Sequence, residues 1–297
     1  MSEHADAATE AFVAHRNLLF TVAYEMLGSA ADAEDVLQET WLRWVKVDPA
    51  EVRDQRAYLV RITTRMALNR LRTMKRRKEA YVGPWLPEPL LTAPDVAEDV
   101  ELAESVSMAL MLVLETLSPT ERAVFVLREV FEVGYDEIAD AVGKTPAAVR
   151  QIAHRARKHV DARRPREAVS ASETRAVLES FQRALEGRDL QGMLDVLAPD
   201  VVLLSDGGGV KQAALRPVTG ASKLVRFVLG GIGRTEAALT SEPTVVNGSP
   251  ALVLRLDGEI DGVMAIQLEN ARITGVYYVR NPAKLTRVES ETPLTLR

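Results

Sequence analysis

YDEIADAVGKTPAAVRQIAHRARKHVDARR, residues 135–164, reads as two helices joined by a tight turn. The first, YDEIADAV, stops at Gly143. KTP follows, where Thr145 is an N-cap and Pro146 opens the second helix. A short helix, a turn holding glycine and a second helix make the helix-turn-helix pattern. On the second helix Val149, Ile152, Ala153 and Ala156 share a core-facing stripe. Arg150, Gln151, His154, Arg155, Arg157 and Lys158 are left for the outer surface. Such a helix suits a DNA major groove, its N-terminal turns nearest the base edges and its basic end along phosphates. A helical hairpin with no nucleic-acid role shares the pattern, so the neighbouring sequence has to decide.

Charge elsewhere is segregated rather than scattered. The formal net charge is -5, yet RITTRMALNRLRTMKRRK, residues 61–78, is basic throughout and holds no acid. Upstream, DAEDVLQET supplies Asp32, Glu34, Asp35 and Glu39 with no base. One basic run alone is usually a solvated helix face. Two in separate folded units, each with further features, point to nucleic acid.

The 297-residue length predicts two or three domains. No apolar run approaches the ~20 residues of a membrane helix. The polar N-terminus MSEHADAATE does not read as a secretory leader. Cysteine is absent, which excludes disulfides, thiol catalysis and cysteine-bound zinc, and favours a cytoplasmic location. The four histidines, at 4, 15, 154 and 159, form no metal-binding pattern, and no cofactor is expected.

Along the chain, residues 6–80 read as a helical domain. Gly28 stops a first helix, Ser29 or Asp32 starts a second carrying Trp41 and Trp44, and Pro49 separates it from a long basic third. At least one of the two tryptophans is expected in the core. A connector at 81–97 holds Pro84, Pro87, Pro89 and Pro94, which forbid a helix. It also holds Tyr81, Trp85, Leu86, Leu90 and Leu91, an apolar set expected to dock on a neighbouring domain. Residues 98–166 form a second helical domain, in which Ser118-Pro119-Thr120-Glu121 is a capping box starting a helix at Pro119. From 170 to 297 two amphipathic helices precede strand-like segments, among them VVLLS, KQAALRPV, PALVLRL, VMAIQL and ITGVYYVR. This predicts an α+β domain with an antiparallel sheet. Asp206, Asp257, Asp261 and Tyr277 are the side chains a pocket there would offer; with no histidine and no acid/base pair in the segment, catalysis is not expected.

DAEDVLQETWLRW (32–44), AYLVRITTRMALNRLR (57–72) and LSPTERAVFVLRE (117–129), followed by the helix-turn-helix, resemble in order and spacing an extracytoplasmic-function sigma factor. The first two match its region two and the last its region four. WLPEPL (85–90), DGGG (206–209) and NPAKL (281–285) resemble the subgroup with a fused SnoaL-like (NTF2-like) domain. The implied fold is two all-α domains followed by an α+β NTF2-like cone. The resemblance implies a core RNA polymerase contact at Asp32, Asp35, Gln38 and Trp41. It implies recognition of the -10 element by Arg61, Arg65 and Asn69, with Arg72, Lys75 and Arg76 on phosphates. The -35 element falls to Thr145, Arg150, Gln151, His154, Arg155, Arg157 and Lys158. An interdomain regulatory contact is expected between Trp85, Leu86 and Pro87 and the set Asp206, Gly207, Gly208, Gly209, Asn281, Pro282 and Lys284. One sigma per polymerase favours a monomer when free. The subgroup has lysine directly after its glycines; here Val210 intervenes before Lys211, so that lysine's role stays open. A helix-turn-helix regulator with a small-molecule-sensing NTF2-like domain is the alternative, and a ligand in the C-terminal domain stays open under either.

Overall fold

The computed structural model describes residues 2–92, 100–163, 171–232 and 237–296, and these form two compact units. The first comprises Met1–Glu79, Leu110–Arg164 and Pro293–Arg297; the second comprises Ala80–Ala109 and Pro165–Thr292.

Three long helices open the first unit: α1 (Ser2–Leu27), α2 (Ala30–Trp44) and α3 (Gln55–Glu79). Gly28 ends α1 in the left-handed region, and the Ser29 side chain accepts from the Asp32 amide to start α2. Phe20 and Tyr24 of α1, Val36 and Leu37 of α2, and Leu59, Ala67 and Leu71 of α3 are buried together. Trp44 is fully buried, its indole donating to the Ala8 carbonyl at 2.8 Å. Trp41 is half-buried, 5.3 Å from the Phe12 ring. The two tryptophans thus divide between core and partly exposed surface.

Short helices follow. α4 (Val100–Val106) belongs to the second unit, and α5 (Met108–Glu115) enters the first at Leu110; there it precedes α6 (Pro119–Phe125), which widens into a π-turn over Val126–Val130. The capping box at Ser118 and Glu121 is complete in both directions. α7 (Tyr135–Val142) and α8 (Pro146–Asp161) are the helix-turn-helix. Gly143 turns the chain at φ 67°, and Thr145 accepts from the Ala148 amide. Ile138, Ala139, Val149, Ile152, Ala153 and Ala156 are buried on the facing sides.

At the centre of this unit Arg122, 1% exposed, donates twice to the Glu25 carbonyl and once to Glu115, which also receives Lys78 of α3 at 2.5 Å. Burial works against the Glu115 charge. The neighbouring Arg122 and Lys78 charges outweigh it and hold the carboxyl below the usual range.

The second unit is α+β. α9 (Ala171–Glu186) and α10 (Leu190–Val196) lead into β1 (Leu197–Asp206); β2 (Val218–Thr219) and α11 (Ala221–Ile232) follow. Then come β3 (Leu239–Val246), β4 (Ser249–Leu256), β5 (Glu259–Glu269) and β6 (Arg272–Val279). The sheet order is β2-β1-β6-β5-β4-β3. Phe181, Leu185, Leu224, Val225, Leu252, Leu254, Met264 and Ile266 pack helices against the sheet.

Two expectations are corrected. The sheet is mixed, because β1 pairs parallel with β6 while the other neighbours are antiparallel. KQAALRPV forms strand only from Val218 onward: Leu215 is exposed, Pro217 has no amide to donate, and the Ala214 amide is taken by the Ser205 hydroxyl. α11 was absent from the strand-based reading of this stretch. Among the described residues no helix is long and apolar enough to cross a membrane.

Candidate nucleic-acid interface and connector anchor

α8 displays its polar residues outward. Thr145, Arg150, Gln151, His154, Arg155, Arg157 and Lys158 are all exposed, opposite a stripe buried by its own apolar residues. Arg157 makes a two-pronged ion pair with Glu129 at 2.8 and 2.6 Å, and Arg155 lies 3.8 Å from Glu121. The Arg150 guanidinium stands over the Tyr135 ring at 5.5 Å. Arg150, Gln151 and His154 precede Arg155 on α8 and have no ion pair among the described residues.

α3 behaves differently. Arg65 donates to the Asp140 carbonyl of α7 at 2.6 Å. Arg61 lies over Tyr58, on the wall of a cavity of about 310 Å³ that also borders Glu137 and Asp140. Asn69 and Arg72 are exposed and bonded to each other. The side chains of Lys75 and Arg76 lie outside the described residues.

The acidic helix α2 is partly turned inward. Asp32 is 5% exposed and is held by Arg70, with Arg77 3.7 Å away. Arg70 also pairs with the exposed Asp35 at 2.6 Å. The first-turn acids face the basic helix beside them, which draws Asp32 out of solvent. Asp35, Gln38 and half-buried Trp41 remain accessible.

Within the second unit the connector is fastened to the α+β domain at two places. Asp206, at the end of β1 and fully buried, accepts from the Tyr81 hydroxyl at 2.5 Å, the Leu86 amide at 3.0 Å, the Gly208 amide at 3.0 Å and Lys284 at 2.7 Å. Lys284 donates again to the Leu86 carbonyl and lies 3.4 Å above the Trp85 ring. The Asn281 side-chain amide nitrogen donates to the Tyr81 hydroxyl, and its oxygen accepts from the Ala283 amide, capping the turn at Pro282. Gly208, at φ 63°, leaves no room for a side chain: a Cβ there would meet Asn281 at 2.5 Å. Burial and the Asp206 hydrogen bond push the Tyr81 phenol well above its ordinary range, so it stays a proton donor. Gly207 and Gly209 shape the turn, and Pro87 is buried beside Leu86.

The second fastening lies at the β3–β4 turn. Asn247 exchanges two hydrogen bonds with Leu90, at 2.9 Å each, and donates to the Val106 carbonyl at 3.0 Å. Leu91 then pairs with Val246, so the connector extends the edge of the sheet. Nothing in the residues around Asn247 marks this contact in the sequence. Lys211 reaches Asp261 at 3.3 Å, whereas the cation at Asp206 is Lys284.

Residues 11–77 match Sigma-70 region 2 and residues 107–160 match Sigma-70, region 4. The chain is 37% identical over 291 residues to ECF RNA polymerase sigma factor SigJ of Mycobacterium tuberculosis, covering 93% of this chain and 92% of the other. The chain belongs to the ECF RNA polymerase sigma factors. It is also similar to the probable ECF sigma factor SigI of the same organism, 31% identical over 98% of this chain and 99% of that one. The crystal structure of M. tuberculosis SigJ superposes with a TM-score of 0.74 at 33% identity, covering 97% of this chain and all of that one. This ECF sigma factor therefore carries regions two and four and, after them, an α+β domain.

Proposed function

We propose that the protein binds core RNA polymerase and directs initiation at promoters of defined sequence, and that its C-terminal domain modulates that activity by holding the connector. In this reading Asp35, Gln38 and Trp41 of α2 contact polymerase, with Asp32 fixing the helix through Arg70. Thr145, Arg150, Gln151, His154, Arg155, Arg157 and Lys158 meet the -35 element. Arg61, Arg65 and Asn69 meet the opened -10 element, with Arg72, Lys75 and Arg76 on phosphates. One observation carries the reading. Every polar side chain assigned to the groove on α8 is exposed, while Val149, Ile152, Ala153 and Ala156 on the same helix are buried.

For the modulating role, the support is the anchor at Asp206. A buried carboxylate that accepts from connector and domain together resists removal. Taking away one partner of such a pair costs about 3–5 kcal/mol. The decisive experiment adds the purified protein to core polymerase and scores transcripts from a matched and a scrambled promoter. Initiation from the matched template alone is expected, and Asp206→Asn should change its level with the protein still folded. Absence of core binding would sink the first part. Unaltered transcription by a folded Asp206→Asn protein whose connector is shown to be released would sink the second.

A further inference from the structure

The second unit encloses a cavity of about 460 Å³, within the usual size of small-molecule sites. Val228, Leu254 and Met264 form a buried apolar wall. Arg226, Asp261, Tyr278 and Arg280 line the rest of it, with Gln212 at the edge. Of the four pocket candidates read from the sequence, only Asp261 borders this space. Asp206 serves the connector, Asp257 caps the Ala238 amide, and the Tyr277 hydroxyl donates to Gln267.

The polar side has an excess of donors. Both oxygens of Asp261 are occupied: Arg280 reaches them at 2.9 and 2.8 Å, Tyr278 at 2.6 Å and Lys211 at 3.3 Å. Burial opposes this charge, and the Arg280 and Tyr278 hydrogen bonds overcome it, holding the carboxyl below its usual range. Two cations, Arg226 and Arg280, therefore line the cavity beside one carboxylate whose oxygens are already taken by Arg280, Tyr278 and Lys211. Arg226 is exposed and, among the described residues, its Nε alone is engaged, by the Ser222 carbonyl, so both terminal nitrogens remain available. A side with spare donors beside an apolar wall is complementary to an anion carried on an apolar body.

The same side is built from the parts that hold the connector. The Arg280 and Asn281 amides both donate to the Asp206 carbonyl, at 2.7 and 3.0 Å. The Arg280 side chain enters the cavity wall, while that of the adjacent Asn281 holds Tyr81. Gln212, whose carbonyl accepts from Arg280, closes the loop that begins at Asp206. A group that draws Arg280 away from Asp261 pulls on the loop and strand end that carry the anchor.

We propose that this cavity binds a small amphiphile with a carboxylate head, met by Arg226 and Arg280, and that its occupancy alters the hold of the Asp206 anchor on residues 81–90. The inference rests on the modulating role proposed for the C-terminal domain. Its test needs no polymerase, so either idea can fail alone.

Decanoate serves as the probe, with decan-1-ol and decyltrimethylammonium as neutral and cationic controls, on the full chain by calorimetry and hydrogen exchange. Decanoate should bind one to one and at least about tenfold more tightly than either control, the equivalent of one charge-assisted hydrogen bond. Arg226→Glu should reverse that preference, and Leu256→Trp, which grows into the cavity from a half-buried position, should abolish binding. Decanoate should also change amide exchange at Leu86 and Leu90 by about fivefold, a typical coupling between sites. No decanoate binding, equal affinity for the three probes, or an Arg226→Glu protein that binds decanoate normally would overturn the site. The Arg226→Glu outcome stands even where Leu256→Trp does not fold. Tight binding that leaves connector exchange unchanged would overturn the coupling. Loss of promoter activity with these results intact would fall on the sigma-factor reading alone.

Discussion

α3 and α8 look alike as sequence: each is a run of arginine and lysine on an amphipathic helix. Their surroundings divide them. α8 holds its groove-facing residues in solvent, with Arg157 and, more loosely, Arg155 steadied by acids. α3 has its cations engaged along its length: Arg65 by Asp140, Arg70 by Asp32 and Asp35, Lys78 by Glu115. The first helix is displayed, and the second is held. A run of positive charge in a sequence reports only how many cations exist; which of them are available depends on acids contributed from elsewhere in the chain. For α3 to meet an opened -10 element as proposed, α7 has to move away from Arg61 and Arg65.

The largest expected effect comes from breaking what holds α3 at its C-terminal end. Arg122→Met leaves Glu115 with one cation instead of two and the Glu25 carbonyl without two donors, in a buried site. A loss of about 3–5 kcal/mol of unfolding free energy is expected in urea melts. The same group gives a pH dependence. Because the folded Glu115 carboxyl titrates below its ordinary value, its stabilisation is present above the unfolded carboxylate pKa and lost as pH falls through the folded one. Glu115→Gln should flatten that acid limb. An Arg122→Met protein as stable as the parent would mean that this buried cluster does not stabilise the unit.

The next effect sharpens the α8 side. Arg150→Ala should cost about 1–3 kcal/mol of discrimination at one -35 base pair, read from transcription on a set of single-substitution promoters. Arg157→Ala should instead weaken all promoters evenly and reduce the salt slope by about one, as for a phosphate contact. If both variants lose activity uniformly, α8 grips DNA without reading it.

What was legible in the sequence was local. The Ser118–Glu121 box, the Gly143 turn, the Thr145 cap and the buried stripe of α8 depend on residues within a few positions of one another, and each lies where its pattern placed it. The Trp85–Leu86 contact with Asp206 and Lys284 falls where an apolar connector and the family motifs pointed. Tyr81, which bonds both Asp206 and Asn281, stood in the sequence only as one more apolar residue of that connector. Distance in sequence hid the rest. Asp32 meets Arg70 across 38 positions, and Asn247 meets Leu90 across 157. Nothing in the residues around Asp32 says that a guanidinium will cover it, so an acid expected at a polymerase contact lies in the protein interior. The parallel β1–β6 pairing was hidden for the same reason: strand patterns show which residues alternate, and leave open which strand end arrives beside which.

The smallest effect tests whether α7 screens α3. Arg65 bonds the backbone carbonyl of Asp140, so replacing that side chain leaves the acceptor in place and acts only through charge. Glu137 and Asp140 border the cavity that Arg61 lines, and lysine at both positions turns an attractive field into a repulsive one. Exposed pairs of this kind contribute about 0.2–1 kcal/mol each. The Glu137→Lys/Asp140→Lys protein should therefore bind a single-stranded -10 oligonucleotide only a few-fold more tightly than the parent, measured by anisotropy at low salt. The gain should shrink as salt rises, because the field is screened over about 10 Å at 0.1 M. A gain that persists undiminished at high salt would point to a conformational change rather than to charge. No gain at any salt would mean that the acids of α7 do not restrain the basic stripe, and the contrast between the held helix and the displayed one would then rest on the Arg65 hydrogen bond and the Glu115 ion pairs.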